Sequence, residues 1–377
     1  MPGIYIHIPF CKQACHYCDF HFSTVMDKKE VMIKALCEEL KLRKKEFENE
    51  KVATIYFGGG TPSVMETHEI EEIIASVYSN YEVIKNPEIT LEANPDDLSE
   101  EKIIQLSNSP INRLSIGIQS FFEEDLKLMN RAHSATEAIV SLSLATQYFD
   151  NISIDLIYGM PNMTHARWEE NIDKALSFNV PHISSYALTV EPRTALAKFV
   201  EKGIVTPVDD EVAQEHFNIL LDKMKGAGYE SYEISNFGKP GYFSKNNTAY
   251  WQQKKYLGIG PSAHSFDGEQ RGWNINNNTK YIKAITKGNL PIEIEQLTTR
   301  DKYNEYVMTG LRTIWGVSIK KITAEFGEKY AEYLHNQSEK YVEEHLLYWD
   351  GDILLATKKG RFLADGIAAD LFMVKMK

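Results

Sequence analysis

The sequence has little cysteine, no long apolar segment and no excess of positive charge. Four cysteines among 377 residues do not provide the disulfide framework of a small secreted domain. No segment approaches the roughly 18 consecutive apolar residues that a membrane-spanning helix needs. The formal net charge of −12 argues against nucleic acid or anionic lipid as the main partner, because both attract basic surfaces.

The first residues, MPGIYIHIPF, also lack the basic segment and the cleavage site of a signal peptide. We therefore expect a cytoplasmic protein without stable membrane insertion. In a reducing compartment, clustered cysteines indicate metal binding or catalysis rather than disulfides.

Strand and helix patterns alternate regularly through the first half of the chain. The composition, 43% apolar and 25% charged, is that of a folded globular protein. Ser99 and Thr164 are predicted helix starts, because both residue types favour the N-cap position. The predicted strands are 3–8, 52–57, 87–92, 112–118, 151–157 and 182–188. Six consecutive strand–helix units predict a parallel sheet that closes, or partly closes, into a barrel.

The alternation stops near residue 205, and three units are predicted. Residues 1–205 form an α/β unit with a partial, TIM-like (β/α)6 barrel. Residues 206–297 form an accessory segment that caps the barrel, with a stretch rich in Asn, Gly and aromatics (235–279) that has little regular period. Residues 298–377 form a smaller, mostly helical unit that ends in a hairpin with an Asp-Gly turn and resembles a winged-helix module. Because the chain is acidic, we interpret this unit as a lid or docking element.

The residues with chemical potential lie where the predicted strands end. The cysteines follow the first strand, GGGTPS (58–63) follows the second, Glu92 closes the third, Gln119 follows the fourth and Asp155 lies in the fifth. Active sites of parallel α/β barrels lie at the carboxyl ends of the strands. The positions therefore predict one shared site.

Three of the four cysteines lie within the stretch YIHIPFCKQACHYCDF, spaced C-x3-C-x2-C at Cys11, Cys15 and Cys18. Histidines that could complete a zinc site of Cys3His type lie nearby at His7, His16 and His21. Alternatively, three thiolates hold a [4Fe–4S] cluster and leave its fourth iron for an exchangeable ligand. The spacing is unusual for structural zinc, and the position on the rim of a barrel favours the cluster.

This cysteine motif after a first strand resembles the radical S-adenosylmethionine (SAM) superfamily, in which SAM binds the open iron. More narrowly, GGGTPS, LEANP, IGIQSF, LMNRAHS and IDLIYGMP resemble motifs of the oxygen-independent coproporphyrinogen III oxidase family. The resemblance extends over nearly the whole chain, including the last unit. It implies a partial barrel of the radical SAM type, and it makes Cys11, Cys15 and Cys18 the cluster ligands.

Matching positions also imply a pocket for SAM. Its lining residues would be Tyr5, Tyr17, Gly60, Thr61, Glu92, Gln119, Arg131 and Asp155. Glycine after the second strand lets the backbone approach the SAM amino group, the two carboxylates can accept from ammonium or ribose hydroxyl groups, and the guanidinium can pair with a carboxylate. Ala187 and His264 match further cofactor-contacting positions of the family.

Each of these residues also has a purely structural interpretation. Tyr5 could be a half-buried strand residue, and Glu92 and Asp155 could cap the following helices. Arg131 could form a surface ion pair, and GGGTPS could be a tight turn between strand and helix. Cys37, within a helical pattern, is interpreted as a packed thiol rather than a ligand.

Phe20 distinguishes two branches of this family. The decarboxylating oxidases carry C-x3-C-x2-C-x-C, with a further cysteine where this chain has Phe20. The form YCDF resembles the HemW-type heme chaperones, which bind heme and transfer it to acceptor proteins. The resemblance thus implies a [4Fe–4S] cluster, SAM and heme as cargo. A coproporphyrinogen III oxidase and a radical SAM enzyme for another substrate stay open as alternatives.

One position departs from the HemW pattern. These proteins carry H-N-x-x-Y-W, in which the histidine is a candidate heme ligand, whereas this chain has Asn246 at that place in NNTAYW. An asparagine amide is a poor ligand for heme iron. His264 and Tyr250 are therefore the candidate ligands, and an aromatic loop packed over the barrel is the structural interpretation.

Overall fold

The structure is a computed structural model that describes residues 1–374. The predicted last unit includes residues 375–377, which lie outside the described residues. The strands are β1 (Gly3–Ile8), β2 (Val52–Gly59), β3 (Val83–Ala93), β4 (Arg113–Gln119), β5 (Ile152–Tyr158), β6 (His182–Ala187), β7 (Glu230–Glu233), β8 (Asn236–Gly238), β9 (Tyr256–Ile259), β10 (His264–Phe266), β11 (Gln270–Asn274), β12 (Ile292–Gln296), β13 (Val317–Ser318), β14 (Leu347–Asp350) and β15 (Ile353–Ala356).

The helices surround the sheet and build most of the last unit. They are α1 (Lys29–Leu42), α2 (Thr67–Asn80), α3 (Glu100–Ser107), α4 (Glu123–Leu128), α5 (Ala135–Tyr148), α6 (His165–Ser177), α7 (Ala195–Glu201), α8 (Asp210–Gly226), α9 (Lys245–Trp251), α10 (Asn278–Ile285), α11 (Thr299–Leu311), α12 (Ile319–Phe326), α13 (Glu328–Glu343), α14 (Lys358–Arg361) and α15 (Ala364–Asp370). Within the described residues, no helix is long and apolar enough to cross a membrane.

The predicted fold class is confirmed. Strands β1 to β6 are parallel neighbours in chain order, with helices between them. The predicted helix starts are also confirmed, because Ser99 Oγ accepts from Lys102 N at 3.2 Å and Thr164 Oγ1 accepts from Arg167 N at 3.2 Å.

The parallel strands are apolar on only one of their two faces. In β2 the side chains of Ile55 and Phe57 are fully buried in the apolar core, while Tyr56 between them shares the opposite face with Glu92 and Asp155. Since side chains alternate along a strand, one face packs against helices and the other is free to carry polar groups. The polar face is the inner face of the partial barrel.

The stretch 235–279, which the sequence predicted to be irregular, is regular and extends the sheet. Strand β9 pairs in parallel with β1, and β10 to β12 continue from it, while β8 and β7 extend the sheet beyond β6. Local periodicity was uninformative there because the strands are only three to five residues long. The six predicted strands are therefore the middle of a twelve-stranded sheet.

The last unit has its own core and a small sheet. The hairpin of β14 and β15, joined through Gly351 in the left-handed conformation (φ 59°), confirms the predicted Asp-Gly turn. Strand β13 pairs with β15, so the sheet has three strands rather than the two of the predicted wing. Arg312 of this unit forms an ion pair with the buried Glu233 of β7 (2.8 Å), which joins the unit to the large sheet, and a second ion pair with Asp365 of α15 (2.5 Å).

Candidate functional site

The cysteine loop begins directly after β1 and is tied at both ends. Cys11 N donates to Ser23 O (3.1 Å), and Ser23 N donates to Pro9 O (2.9 Å). Further along the loop, His16 N donates to the backbone oxygen of Met129 (3.0 Å), the residue that follows α4. The loop is thus held at the carboxyl end of the parallel strands, where the sequence placed it.

Two of the three thiols receive hydrogen bonds from residues that follow β2 and α4. Thr61 Oγ1 donates to Cys11 Sγ and Arg131 Nη1 donates to Cys15 Sγ, each at 3.3 Å. Burial raises the pKa of the Cys11 and Cys18 thiols to about 11, and the neighbouring sulfurs add to this shift. Iron binding must therefore displace protons, while the two donors stabilise the thiolates once they form. The thiol set fits a cluster.

A closed zinc site is not preformed in the part of the chain that the structure describes. Within residues 1–374, no three His, Cys, Asp or Glu side chains are arranged around one ion position. The nearby histidines each hydrogen-bond elsewhere: His7 to His21 O (2.9 Å), His16 to Leu128 O (2.9 Å) and His21 to Asn278 Oδ1 (2.7 Å). A [4Fe–4S] cluster needs no such single position, because each thiolate binds a different iron.

Two half-buried carboxyl groups, Glu92 and Asp155, lie on the inner face of the barrel. Glu92 accepts hydrogen bonds from Tyr56 OH (2.9 Å) and Gly59 N (3.3 Å). Burial raises the pKa of Glu92 to about 7, with a contribution from Asp155, and raises the pKa of Asp155 to about 6. These two carboxyl groups could accept hydrogen bonds from a cationic or hydroxyl-bearing ligand.

The Arg131 guanidinium connects the cysteine loop to two strands. Besides Cys15, it donates to Asn94 Oδ1 (2.6 Å) and to Gly117 O (3.0 Å), while its buried Nε has no hydrogen-bond partner within the described chain. Asn94 Nδ2 in turn donates to Thr61 Oγ1 (3.4 Å). Asn94 was not among the predicted site residues, although its position directly after β3 in LEANP was the available signal.

The other predicted SAM residues lie around the same end of the sheet. Tyr5 OH is 3.3 Å from His7 Nδ1, and Tyr17 OH accepts from Arg131 Nη1 (3.5 Å). Gln119 ends β4 in the left-handed conformation (φ 66°). A Cβ on Gly60 would lie 2.5 Å from Phe10 O, so glycine is required there by the close approach of the cysteine loop itself.

The two carboxyl groups predict an unusual pH dependence of stability. A raised folded-state pKa means that Glu92 and Asp155 bind protons more tightly in the folded chain than in the unfolded chain. The loss of stability caused by ionising them is therefore absent near pH 4 and grows as the pH rises to about 7. We expect the free energy of unfolding of the double variant Glu92→Gln, Asp155→Asn, relative to that of the wild type, to increase by on the order of 2 kcal/mol as the pH rises from 4.5 to 7.5. Urea unfolding of the metal-free proteins across this range measures the difference, and parallel pH profiles would contradict the prediction.

A cavity of about 750 Å³ lies beside the cysteine loop, between the barrel and the last unit. Its size is within the range of about 300–1,000 Å³ for cofactor-sized ligands. The loop contributes Asp19, Phe20 and His21 directly after the third cysteine, and Phe20 is 69% exposed. The opposite walls contribute aromatic, basic and histidine side chains: Tyr250, Trp251, Lys254, Tyr256, His264, Phe266 and Arg271.

Asn246 does not belong to this cavity. It lies in the first turn of α9, capped by Ser244, and is 3% exposed. Its Oδ1 accepts from Thr54 Oγ1 (3.0 Å) and its backbone N donates to Glu88 Oε1 (3.2 Å). The position therefore faces the sheet interior, whereas Tyr250 and Trp251 of the same helix line the cavity. The interpretation of this stretch as an irregular aromatic loop is wrong.

Two segments of the chain match known protein families. Residues 5–175 match the radical SAM superfamily and residues 297–363 match the HemN C-terminal domain. The heme chaperone HemW of Bacillus subtilis strain 168 is 32% identical over 97% of this chain and 98% of that protein. The heme chaperone HemW of Lactococcus lactis strain IL1403 is 33% identical over 96% and 95%. The structure of Escherichia coli coproporphyrinogen III oxidase (HemN) shares the fold, with a TM-score of 0.85 and 22% identity over 98% of this chain and 90% of that one.

Proposed function

The chain belongs to the HemW family of radical SAM proteins, and from this we propose that it is a cytoplasmic heme chaperone that binds heme and transfers it to acceptor proteins. The observation that carries the proposal is the cavity beside the cysteine loop, with its aromatic walls, a histidine and basic groups at one place.

In this proposal Cys11, Cys15 and Cys18 hold a [4Fe–4S] cluster whose fourth iron takes SAM. The residues around SAM are those predicted from the sequence: Tyr5, Tyr17, Gly60, Thr61, Glu92, Gln119, Arg131 and Asp155. A bound cluster supplies one electron at low potential. The protein contributes hydrogen bonds to two cysteine sulfurs and two half-buried carboxyl groups on the inner face of the barrel.

His264 is the heme ligand that the geometry favours. It lies on β10 with its side chain accessible from the cavity that it lines, and partial desolvation together with the charge of Arg271 lowers its pKa, so a neutral imidazole is available at physiological pH. Burial instead raises the pKa of Tyr250, which keeps the phenol protonated and unsuited to ligate iron as phenolate. The exposed Lys254 offers a positive charge for a heme propionate.

The first test is an anaerobic titration of the cluster-containing protein with hemin. We expect a saturable shift of the Soret band at one heme per chain. The same preparation, incubated with SAM and coproporphyrinogen III, tests the oxidase alternative, and Phe20 in the cavity wall leads us to expect no protoporphyrinogen. A heme titration without saturation would reject the chaperone proposal, and product formation would favour the oxidase.

Restoring histidine at position 246 is expected not to improve heme binding. The Asn246→His side chain would replace a buried amide that is hydrogen-bonded to Thr54, at a position outside the lining of the cavity that contains His264. We expect the hemin Kd to stay within about threefold of wild type while unfolding becomes easier by roughly 1–3 kcal/mol, the cost of disturbing a buried hydrogen bond. Hemin titration and urea unfolding measure the two quantities. A Kd at least tenfold lower in the variant would contradict the assignment of this position to the sheet interior.

A further inference from the structure

Strand β12 is the end of the large sheet on the side of the cavity. It pairs with β11, and among residues 1–374 no strand follows it in the sheet. Four of its five residues are exposed, and the Ile294 side chain is 62% exposed. The other end of the sheet is different, because Ile314 N of the last unit donates to Tyr232 O of β7 (3.1 Å).

The register shows which backbone groups of β12 face outward. The residue pairs on either side of β12 continue its register with β11 and are hydrogen-bonded. Ile275 N donates to Pro291 O (2.9 Å), and Leu297 N donates to Glu269 O (3.1 Å). Hydrogen-bonded and non-hydrogen-bonded pairs alternate in an antiparallel ladder. Glu293 and Glu295 therefore bond to β11. The residues whose N–H and C=O point away from the sheet are Ile292, Ile294 and Gln296.

The two glutamate side chains lie on the face of the sheet that carries His264. Directly opposed residues of an antiparallel pair share a face. Across β10, β11 and β12, one such row is His264, Trp273 and Glu293, and the next is Phe266, Arg271 and Glu295. A strand added to β12 would be the third from β10, roughly 14 Å from it at the usual spacing of about 4.8 Å. The open edge is therefore continuous with a wall of the cavity.

We propose that β12 is the docking edge for an extended segment of the heme-accepting protein, in which lysine or arginine alternates with apolar residues. The backbone of this segment pairs with the outward groups of Ile292, Ile294 and Gln296, and its basic side chains lie opposite Glu293 and Glu295. That the partner accepts heme rests on the proposed function, whereas the docking edge itself rests on the register and charge of β12.

A second copy of this chain is the occupant that the charges disfavour. Antiparallel pairing of two β12 strands about Ile294 would place Glu293 of each copy opposite Glu295 of the other. Like charges directly opposed across strands are destabilising, and the net charge of −12 adds to the repulsion. A basic strand turns the same two carboxylates into attractive partners.

The test uses a fluorescent peptide of alternating lysine and valine as the probe. Two comparison peptides replace lysine by glutamate or carry N-methyl groups on alternate amides, which block edge pairing. We expect saturable binding of the basic peptide alone by fluorescence anisotropy, with slower hydrogen exchange at the amides of Ile292, Ile294 and Gln296. Equal binding of all three peptides, or unchanged exchange at these amides, would overturn the proposal, as would concentration-dependent protection without peptide, which indicates self-association.

Charge reversal at the edge separates this interface from general electrostatic attraction. We expect the double variant Glu293→Lys, Glu295→Lys to bind the basic peptide at least about tenfold more weakly and to bind the glutamate peptide instead. The double variant Glu339→Lys, Glu343→Lys, on the exposed surface of α13, makes the same change in net charge and is the matched control; it should leave the affinity nearly unchanged. An equal loss in the control would overturn the proposal. If the basic peptide binds but hemin does not bind saturably, the proposed function is rejected and the docking edge is still supported.

Discussion

Single replacement of Cys11, Cys15 or Cys18 by alanine is expected to abolish the iron–sulfur chromophore. The three thiols are the protein's ligands to the cluster in the proposed function, and a cluster held by two cysteines has two irons without a protein ligand. Iron content after anaerobic reconstitution should fall from about four per chain to near zero, together with the brown absorption.

Cys37 provides the control for these variants. It lies in α1, packs against the apolar core and belongs to none of the strand ends. Cys37→Ala should therefore keep both the iron and the colour. Colour that persists in each of the three single variants of the loop would show that the ligands have been assigned wrongly.

Replacement of His264 by alanine is expected to weaken hemin binding by roughly a hundredfold. Losing an axial imidazole removes on the order of 3 kcal/mol of binding free energy, and the cavity's other histidines have ring nitrogens engaged by His21 O and Asn278. The Soret maximum of the residual complex should also differ from that of the wild type, because the maximum depends on the ligand of the iron.

Two further variants make this result specific. His68→Ala removes an exposed histidine from α2, outside the cavity lining, and should bind hemin like the wild type. Tyr250→Phe keeps the aromatic wall and removes the hydroxyl, so we expect a small change in affinity. If Tyr250→Phe alters the Soret maximum and His264→Ala does not, the phenol rather than the imidazole is the ligand.

The site was predictable from the sequence where it depends on strand ends. Cys11, Glu92 and Asp155 come together because parallel strands joined by helices bring their carboxyl ends to one edge. Asn94 was missed although it follows the same rule, because an amide carries no chemistry of its own that would single it out. Its importance comes from bridging Arg131 and Thr61, which depends on three separate loops that meet only in the folded chain.

The cavity was not predictable in this way. Its walls come from the cysteine loop, from α9 to β11 and from α11, and the cysteine loop lies more than two hundred positions before the other segments in the sequence. Position 246 illustrates the same limit. The motif suggested a ligand position in a loop, whereas helix formation from Ser244 turns this side chain toward Thr54 and leaves Tyr250 facing the cavity.

By itself the sequence determined the order of the six parallel strands, the cysteine loop after the first of them and the helices between them. These features depend on local periodicity and on the handed, short connections of βα units, which act over a few tens of residues. Only the tertiary structure decided that β9 joins β1, that the sheet continues to an open edge at β12 and that Phe20 and His264 share a cavity. Such pairings depend on backbone hydrogen bonds and packing between distant segments, and three- to five-residue strands carry no local pattern that specifies a partner.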